Sequence, residues 1–202
     1  MCWIALKEEE NDMPYEYIVE AQKKNEDGYG VSWHDGTQIQ TYKTLDFAEF
    51  LRFLATIEDQ RCILHLRNTT AGSNCISNSH PFKVPTGVMF HNGTIYDLKP
   101  AKYSTEGKSD TSKLADLLNG CKFSSVKDIE PLLHKFVGNT LNRLVFLNND
   151  GSIDIINREL GIEEDGNWYS NDYHLPAQTY KAFVYGTLKQ NYSNHSWMTG
   201  TS

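Results

Sequence analysis

The second residue of the chain, in "MCWIAL", is a cysteine at the head of an apolar, strand-like run. A thiolate is a strong nucleophile, yet most soluble chains have a frayed, expendable end at that place. Three further segments are too polar and too glycine-marked for their surroundings. "NEDGYGVSW" (25–33) holds Asp27-Gly28. "HLRNTTAGSNCISNSHPF" (65–82) starts as a strand, places Arg67 near its end and runs through a long polar loop to His80-Pro81. "VMFHNGTIYDL" (88–98) meets a tight turn at His91-Asn92-Gly93. Taken singly, each has a plain structural reading. The first is a turn leading into a strand. The second is a solvated loop with Arg67 in a surface ion pair, and the third is a hairpin turn of the kind Asn-Gly favours. Their joint occurrence, in this order behind Cys2, points to a site.

The elements that must hold these segments can be read from periodicity. Runs of β-branched and aromatic residues predict strands over 2–6, 30–33, 62–67 and 87–91. Two more, over 143–147 and 153–156, flank "NNDG" and predict a hairpin. "LDFAEFLRFLATI" puts Leu45, Phe47, Phe50, Leu51 and Leu54 largely on one helical face. "DTSKLADLLNG" predicts a helix capped at Asp110 or Thr111 and stopped at Gly120. "SSVKDIEPLLHKFV" predicts a third, bent or restarted at Pro131. Strands in two sets with segregated helices make an α+β layered domain.

Composition narrows the class. The 202 residues suit one sizeable domain, and 12% aromatic residues suffice for a core. A formal charge of −7 with no basic stripe argues against nucleic acid as a direct ligand. No long apolar run or signal-peptide pattern is present, so neither a membrane span nor export is expected and the cytosol is. The four cysteines, Cys2, Cys62, Cys75 and Cys121, form no zinc pattern, and neither a metal nor a cofactor is expected. In a reducing compartment they are free thiols. Cys62 and Cys121 are expected as small buried hydrophobes.

Together the residues resemble the class II glutamine amidotransferase domain of the N-terminal nucleophile hydrolase group. That pattern has a cysteine after the initiator methionine, then N-x-D-G-x-G, H-x-R-x-x-T-x-G, N-x-H-P-F, H-N-G and S-D-T. Here these are Cys2, residues 25–30, 65–72, 78–82, 91–93 and 109–111. The resemblance implies a four-layer αββα sandwich and an N-terminal cysteine nucleophile that releases ammonia from glutamine through a γ-glutamyl thioester. If Met1 is removed, Cys2 gains a free α-amine of ordinary pKa about 7.7–8.0, a base attached beside its own thiol. Retained Met1 would tie that amine into a peptide bond. The resemblance implies an oxyanion hole from the Asn92 side chain and the Gly93 N–H, with Arg67 on the substrate α-carboxylate and Asp110 on its α-ammonium. Thr70 and His80 join the substrate-binding set. His80 and His91 read as motif scaffolding rather than proton carriers. Three positions depart from the pattern: Trp3 stands for a small residue, and Asn68 and Thr69 for bulkier or more apolar ones. They leave room for an acyl donor other than free glutamine.

The tail "FVYGTLKQNYSNH" (183–195) resembles the first strand and loop of γ-glutamylcyclotransferase-like proteins. The expected division is therefore an amidotransferase domain over 1–177 and a partial, truncated cyclotransferase-like segment over 178–202, poorly packed beyond about residue 178. The expected ligand is glutamine or another γ-glutamyl amide, with a synthase or acceptor domain on another chain. The alternatives are a hydrolase of another γ-glutamyl amide and a non-catalytic γ-glutamyl-binding domain. Closure of the loop around Arg67–His80 is expected to gate activity.

Overall fold

Alternation along the strands explains most of the architecture of this computed structural model, which describes residues 1–70, 72–99, 107–138 and 141–176. A strand sends successive side chains to opposite faces, and here both faces are covered. Strand β1 (Trp3–Lys7) is buried along almost its whole length. Helix α1 (Tyr15–Gln22) follows, then β2 (Tyr29–His34), β3 (Ile39–Thr44), α2 (Phe47–Leu54) and β4 (Cys62–Leu66). Strands β5 (Phe82–Val84) and β6 (Gly87–Asn92) lead to α3 (Asp110–Asn119) and α4 (Val126–Val137). The described chain closes with β7 (Arg143–Asn148), β8 (Ile153–Ile156), β9 (Ile162–Glu164) and β10 (Asn167–Tyr169).

One sheet has the order β3-β2-β4-β1-β10-β9 and the other β5-β6-β7-β8, with every pairing antiparallel. Ile4, Leu6, Ile63, Val88, Phe90, Val145, Leu147 and Trp168 fill the space between the sheets. The opposite face of the six-stranded sheet, with Trp3, Ala5, Leu64 and Leu66, packs on Ile18, Ala21, Phe50 and Leu54 of α1 and α2. The opposite face of the four-stranded sheet, with Met89, Leu144 and Phe146, packs on Leu114, Leu118, Ile129 and Leu133 of α3 and α4. The layers therefore run helix, sheet, sheet, helix, as the resemblance implied.

Helix ends follow local chemistry. The Asp46 carboxylate accepts the Glu49 N–H at 2.9 Å and starts α2. Ser125 and Asp128 form a reciprocal capping box on α4, which runs as one helix through Pro131. The NNDG hairpin joins β7 to β8.

Several expectations need correction. Ser109, not Asp110 or Thr111, caps α3: its hydroxyl accepts the Ser112 N–H at 3.1 Å, which frees Asp110 for other partners. Cys121 is exposed, because it lies just past the Gly120 stop of α3 rather than in a strand. Leu45 is also exposed, since α2 begins only after Asp46. His91-Asn92-Gly93 is no hairpin turn: β6 ends there and the chain leaves the sheet. The segment over 178–202, both its cyclotransferase-like character and its expected poor packing, lies outside the described residues. Among the described residues, no helix is long and apolar enough to cross a membrane.

Candidate active site

The same alternation delivers the site. Ile4 and Leu6 point between the sheets, so two-residue periodicity puts Cys2 on that face at the end of β1. In the β1–β4 register, Trp3 faces Leu66, which leaves Cys2 and Arg67 side by side just beyond the ladder. Val88 and Phe90 point inward from β6, so Asn92 does too, while His91 turns toward α3. Three strand ends thus converge at one end of the sandwich.

Cys2, Arg67, Asn68, Thr70, His80, His91, Gly93, Ser109, Asp110 and Thr111 line a cavity of about 20 Å³. Of the seven residues expected in the site, the structure brings six to this wall, and Asn92 stands behind it, fully buried. The space holds about one water, far less than a glutamine.

The Cys2 thiol lies 3.5 Å from the Asn68 N–H, which donates to it, and 3.6 Å from the Asn68 carbonyl. Burial pushes its pKa up, while the Asn68 N–H, the chain's N-terminal charge and Arg67 pull it down. Asn171 Nδ2 donates to the Cys2 carbonyl at 2.8 Å. Ser170 Oγ accepts the Ile4 N–H and Asn92 Nδ2, both at 2.8 Å. Both residues follow β10, so the last described strand locks the nucleophile's backbone and aims the Asn92 amide. Asn92 Nδ2 keeps a second hydrogen for another acceptor.

Each residue of S-D-T has its own work. Ser109 caps α3. One Asp110 oxygen accepts the Ile95 N–H and the other the Thr111 N–H, each at 2.8 Å. Thr111 Oγ1 meets His91 Nδ1 at 2.8 Å, and His91 Nε2 reaches Asn142 Oδ1 at 2.8 Å. Burial lowers the His91 pKa, so the ring is a neutral strut with both nitrogens engaged.

The loop between Arg67 and His80 is held by two groups whose role the sequence reading left unassigned. The Asp27 N–H donates to the Arg67 carbonyl at 3.0 Å and Arg67 N–H to the Gly28 carbonyl at 2.8 Å. The Asp27 carboxylate accepts from Thr69 N–H at 2.6 Å and Asn74 Nδ2 at 3.2 Å. Asn78 Nδ2 donates to the carbonyls of Ser73 and Gly107, while its Oδ1 accepts the Ser109 N–H at 3.0 Å. Asn78 thereby ties the loop to the start of α3. Arg67 is 3% exposed and donates from Nη1 to the Ser73 carbonyl at 3.1 Å.

His65 and His80 stack at 3.8 Å between ring centroids. His65 Nε2 faces the His91 carbonyl at 3.1 Å, which fixes the proton on that nitrogen. Burial lowers the His65 pKa to about 3 and the His80 pKa well below its usual value. Neither His80 nitrogen has a partner among the described residues.

Two glycines are dictated by geometry. A Cβ on Gly30 would stand 1.9 Å from the His80 carbonyl oxygen, so the first motif lets the loop's far end press on β2. Gly93 has φ +144° and its Cβ would stand 2.0 Å from Asn142 Oδ1.

Two antiparallel sheets between helical layers, with a buried thiol at the head of a central strand, define the N-terminal nucleophile hydrolase fold. Glutamine phosphoribosylpyrophosphate amidotransferase from B. subtilis, in a structure complexed with ADP and GMP, is similar in fold at a TM-score of 0.54 and 18% identity. The match covers 86% of this chain and 42% of that one. The chain thus spans less than half the length of that relative. No curated protein matches the chain. The family of glutamine amidotransferases, class II, matches residues 16–155. The chain belongs to the class II glutamine amidotransferases.

Proposed function

We propose that the protein is a glutamine amidohydrolase, the ammonia-releasing half of an amidotransferase, and that residues 1–177 are that domain. The observation that carries this reading is the convergence of Cys2, Arg67, Asp110 and Gly93 on one small cavity. Removal of Met1 frees the α-amine beside the thiol, which then takes the thiol proton. The thiolate adds to the γ-carbonyl, and the oxyanion forms against the Gly93 N–H and the remaining Asn92 amide hydrogen, donors already in place. Arg67 pairs with the α-carboxylate, where a planar guanidinium makes two parallel bonds. Asp110 receives the α-ammonium, with Thr70 and His80 lining the remaining wall. The α-ammonium of Cys2 protonates the leaving nitrogen, ammonia departs, and water hydrolyses the γ-glutamyl thioester. A synthase or acceptor domain on another chain takes up the ammonia.

Because the cavity holds one water, glutamine enters only when the wall moves, and the loop over 68–79 is the segment that opens it. Its tethers through Asp27 and Asn78 set the cost of opening. The test is intact mass of the purified protein before and after 6-diazo-5-oxo-L-norleucine, with the modified residue mapped. Absence of Met1 and one adduct on Cys2, blocked by excess glutamine, is the expected result. Retained Met1 with no adduct would sink the reading in favour of a γ-glutamyl-binding domain.

A further inference from the structure

Beside the small inner cavity lies a second, larger one of about 300 Å³, lined among the described residues by Met1, Gly93, Thr94, Tyr96, Leu141 and Asn142. Gly93 is common to both and forms the wall between them. Three of the outer residues display apolar surface to solvent: Tyr96 is 79% exposed, Leu141 60% and Met1 38%. Among the described residues of its lining, no side chain carries a charge.

The direction of the reaction follows from the four bonds of the tetrahedral intermediate. One goes to Cys2 Sγ. The oxyanion points at the Gly93 N–H. The glutamyl methylene runs into the inner cavity, toward Arg67 and Asp110. The fourth bond, to the leaving nitrogen, points at the group that protonates it, the α-amine of Cys2. In the structure that nitrogen carries Met1, and Met1 lies in the outer cavity. The leaving nitrogen therefore faces the outer cavity, which widens further once Met1 is gone. A volume of this size is far more than ammonia needs.

We propose that this outer cavity is a leaving-group subsite and that, besides glutamine, the enzyme takes γ-glutamyl amides whose nitrogen carries a neutral apolar substituent. The inference rests on the amidohydrolase reading above and names its substrate class. In acylation the Sγ–C bond forms and the C–N bond breaks, and the substituted amine leaves with the proton that the thiol had given to the α-amine. Water then cleaves the thioester, giving glutamate and returning a proton to the thiolate. No oxidant or further reactant is needed.

The test uses the Met1-free protein and a ladder of γ-glutamyl N-alkylamides, from methyl through ethyl, butyl and hexyl, beside glutamine. Alkylamines differ little in basicity, so chain length reports binding and not leaving-group ability. We expect kcat/KM to rise about two- to fourfold per added methylene until the cavity is full. Leu141→Asp and Tyr96→Ala, both at exposed positions, should flatten the ladder while leaving the glutamine value unchanged. Rates that fall steadily with chain length while glutamine is turned over would overturn the subsite and leave the amidohydrolase reading standing. A protein that hydrolyses neither glutamine nor any rung, and takes no diazo-oxo-norleucine adduct on Cys2, would overturn both.

Discussion

Replacing Asp110 by asparagine separates binding chemistry from architecture at one position. Its two carboxylate oxygens each accept a backbone N–H at 2.8 Å, from Ile95 and Thr111, at 5% exposure. An asparagine has one acceptor oxygen, and its amide nitrogen must face the other N–H. One buried donor left unpaired costs about 1–3 kcal/mol. For a chain of this size that lowers Tm by roughly 2–4 °C per kcal/mol, so melting should fall by about 2–12 °C. The effect on turnover is separate. A hydrogen bond to a charged group contributes about 1.5–3 kcal/mol, so losing the charge opposite the substrate α-ammonium lowers kcat/KM for glutamine about 10- to 150-fold at about 1.4 kcal/mol per tenfold. The assay pairs glutamine with 4-carbamoylbutanoate, the same amide without an α-ammonium. Asp110→Asn should hardly change turnover of the second compound, the signature of a pairwise term. Equal losses on both substrates would refute the role and leave Asp110 as a structural acceptor alone.

Three further outcomes are expected. Gly93→Ala drives a Cβ to 2.0 Å from Asn142 Oδ1 at φ +144°; kcat should fall at least about 100-fold, the scale of one lost oxyanion donor, while the far-ultraviolet circular dichroism stays unchanged. The stacked His65 and His80 are neutral in the folded protein, with His65 at about 3 and His80 lowered further by burial. A lowered folded pKa contributes stability that is complete above the unfolded value of about 6.5 and is lost as pH falls toward the folded one, at up to about 1.4 kcal/mol per pH unit for each ring. Urea midpoints should therefore drop between pH 7 and pH 5, and His65→Gln should shallow that slope; equal slopes in both proteins would sink the assignment. Cys75, beside the Ser73 and Ser77 hydroxyls at 3.3 and 3.1 Å, is lowered to about 7 by those hydrogen bonds. Its alkylation by iodoacetamide, followed by peptide mapping, should show a midpoint near that pH and disappear in Cys75→Ser.

What the sequence disclosed and what it withheld divide along physical lines. Strands with both faces buried, such as β4 and β6, read as continuous apolar runs, and the NNDG turn needed only local chemistry. The short edge strand β9 and its neighbour β10 gave little signal in three residues each. With β10 unread, the supports it carries, Ser170 and Asn171, could not be seen. The lining residues cluster because each motif lies at one end of a strand or at the start of a helix, on the same side of the sandwich. Asn78 lay in plain view within N-x-H-P-F, yet its work as a three-way tie depends on Gly107 and Ser109 being brought next to it by the fold. The cap on α3 falls one or two residues earlier than expected because Ser, Asp and Thr are all good caps, and only the demand of the Ile95 and Thr111 amides reserves Asp110.

The bonds from Ser170 to Ile4 and from Asn171 to Cys2 span 166 and 169 positions of the chain. The thiol-bearing strand is therefore synthesised long before its clamp. Contacts of such separation form slowly and late, so a nascent chain carries its thiol through the synthesis of all the intervening positions without the strand that sets its carbonyl and aims the Asn92 amide. The backbone clamp on the first strand is thus complete only once residue 171 has been made and has found Cys2.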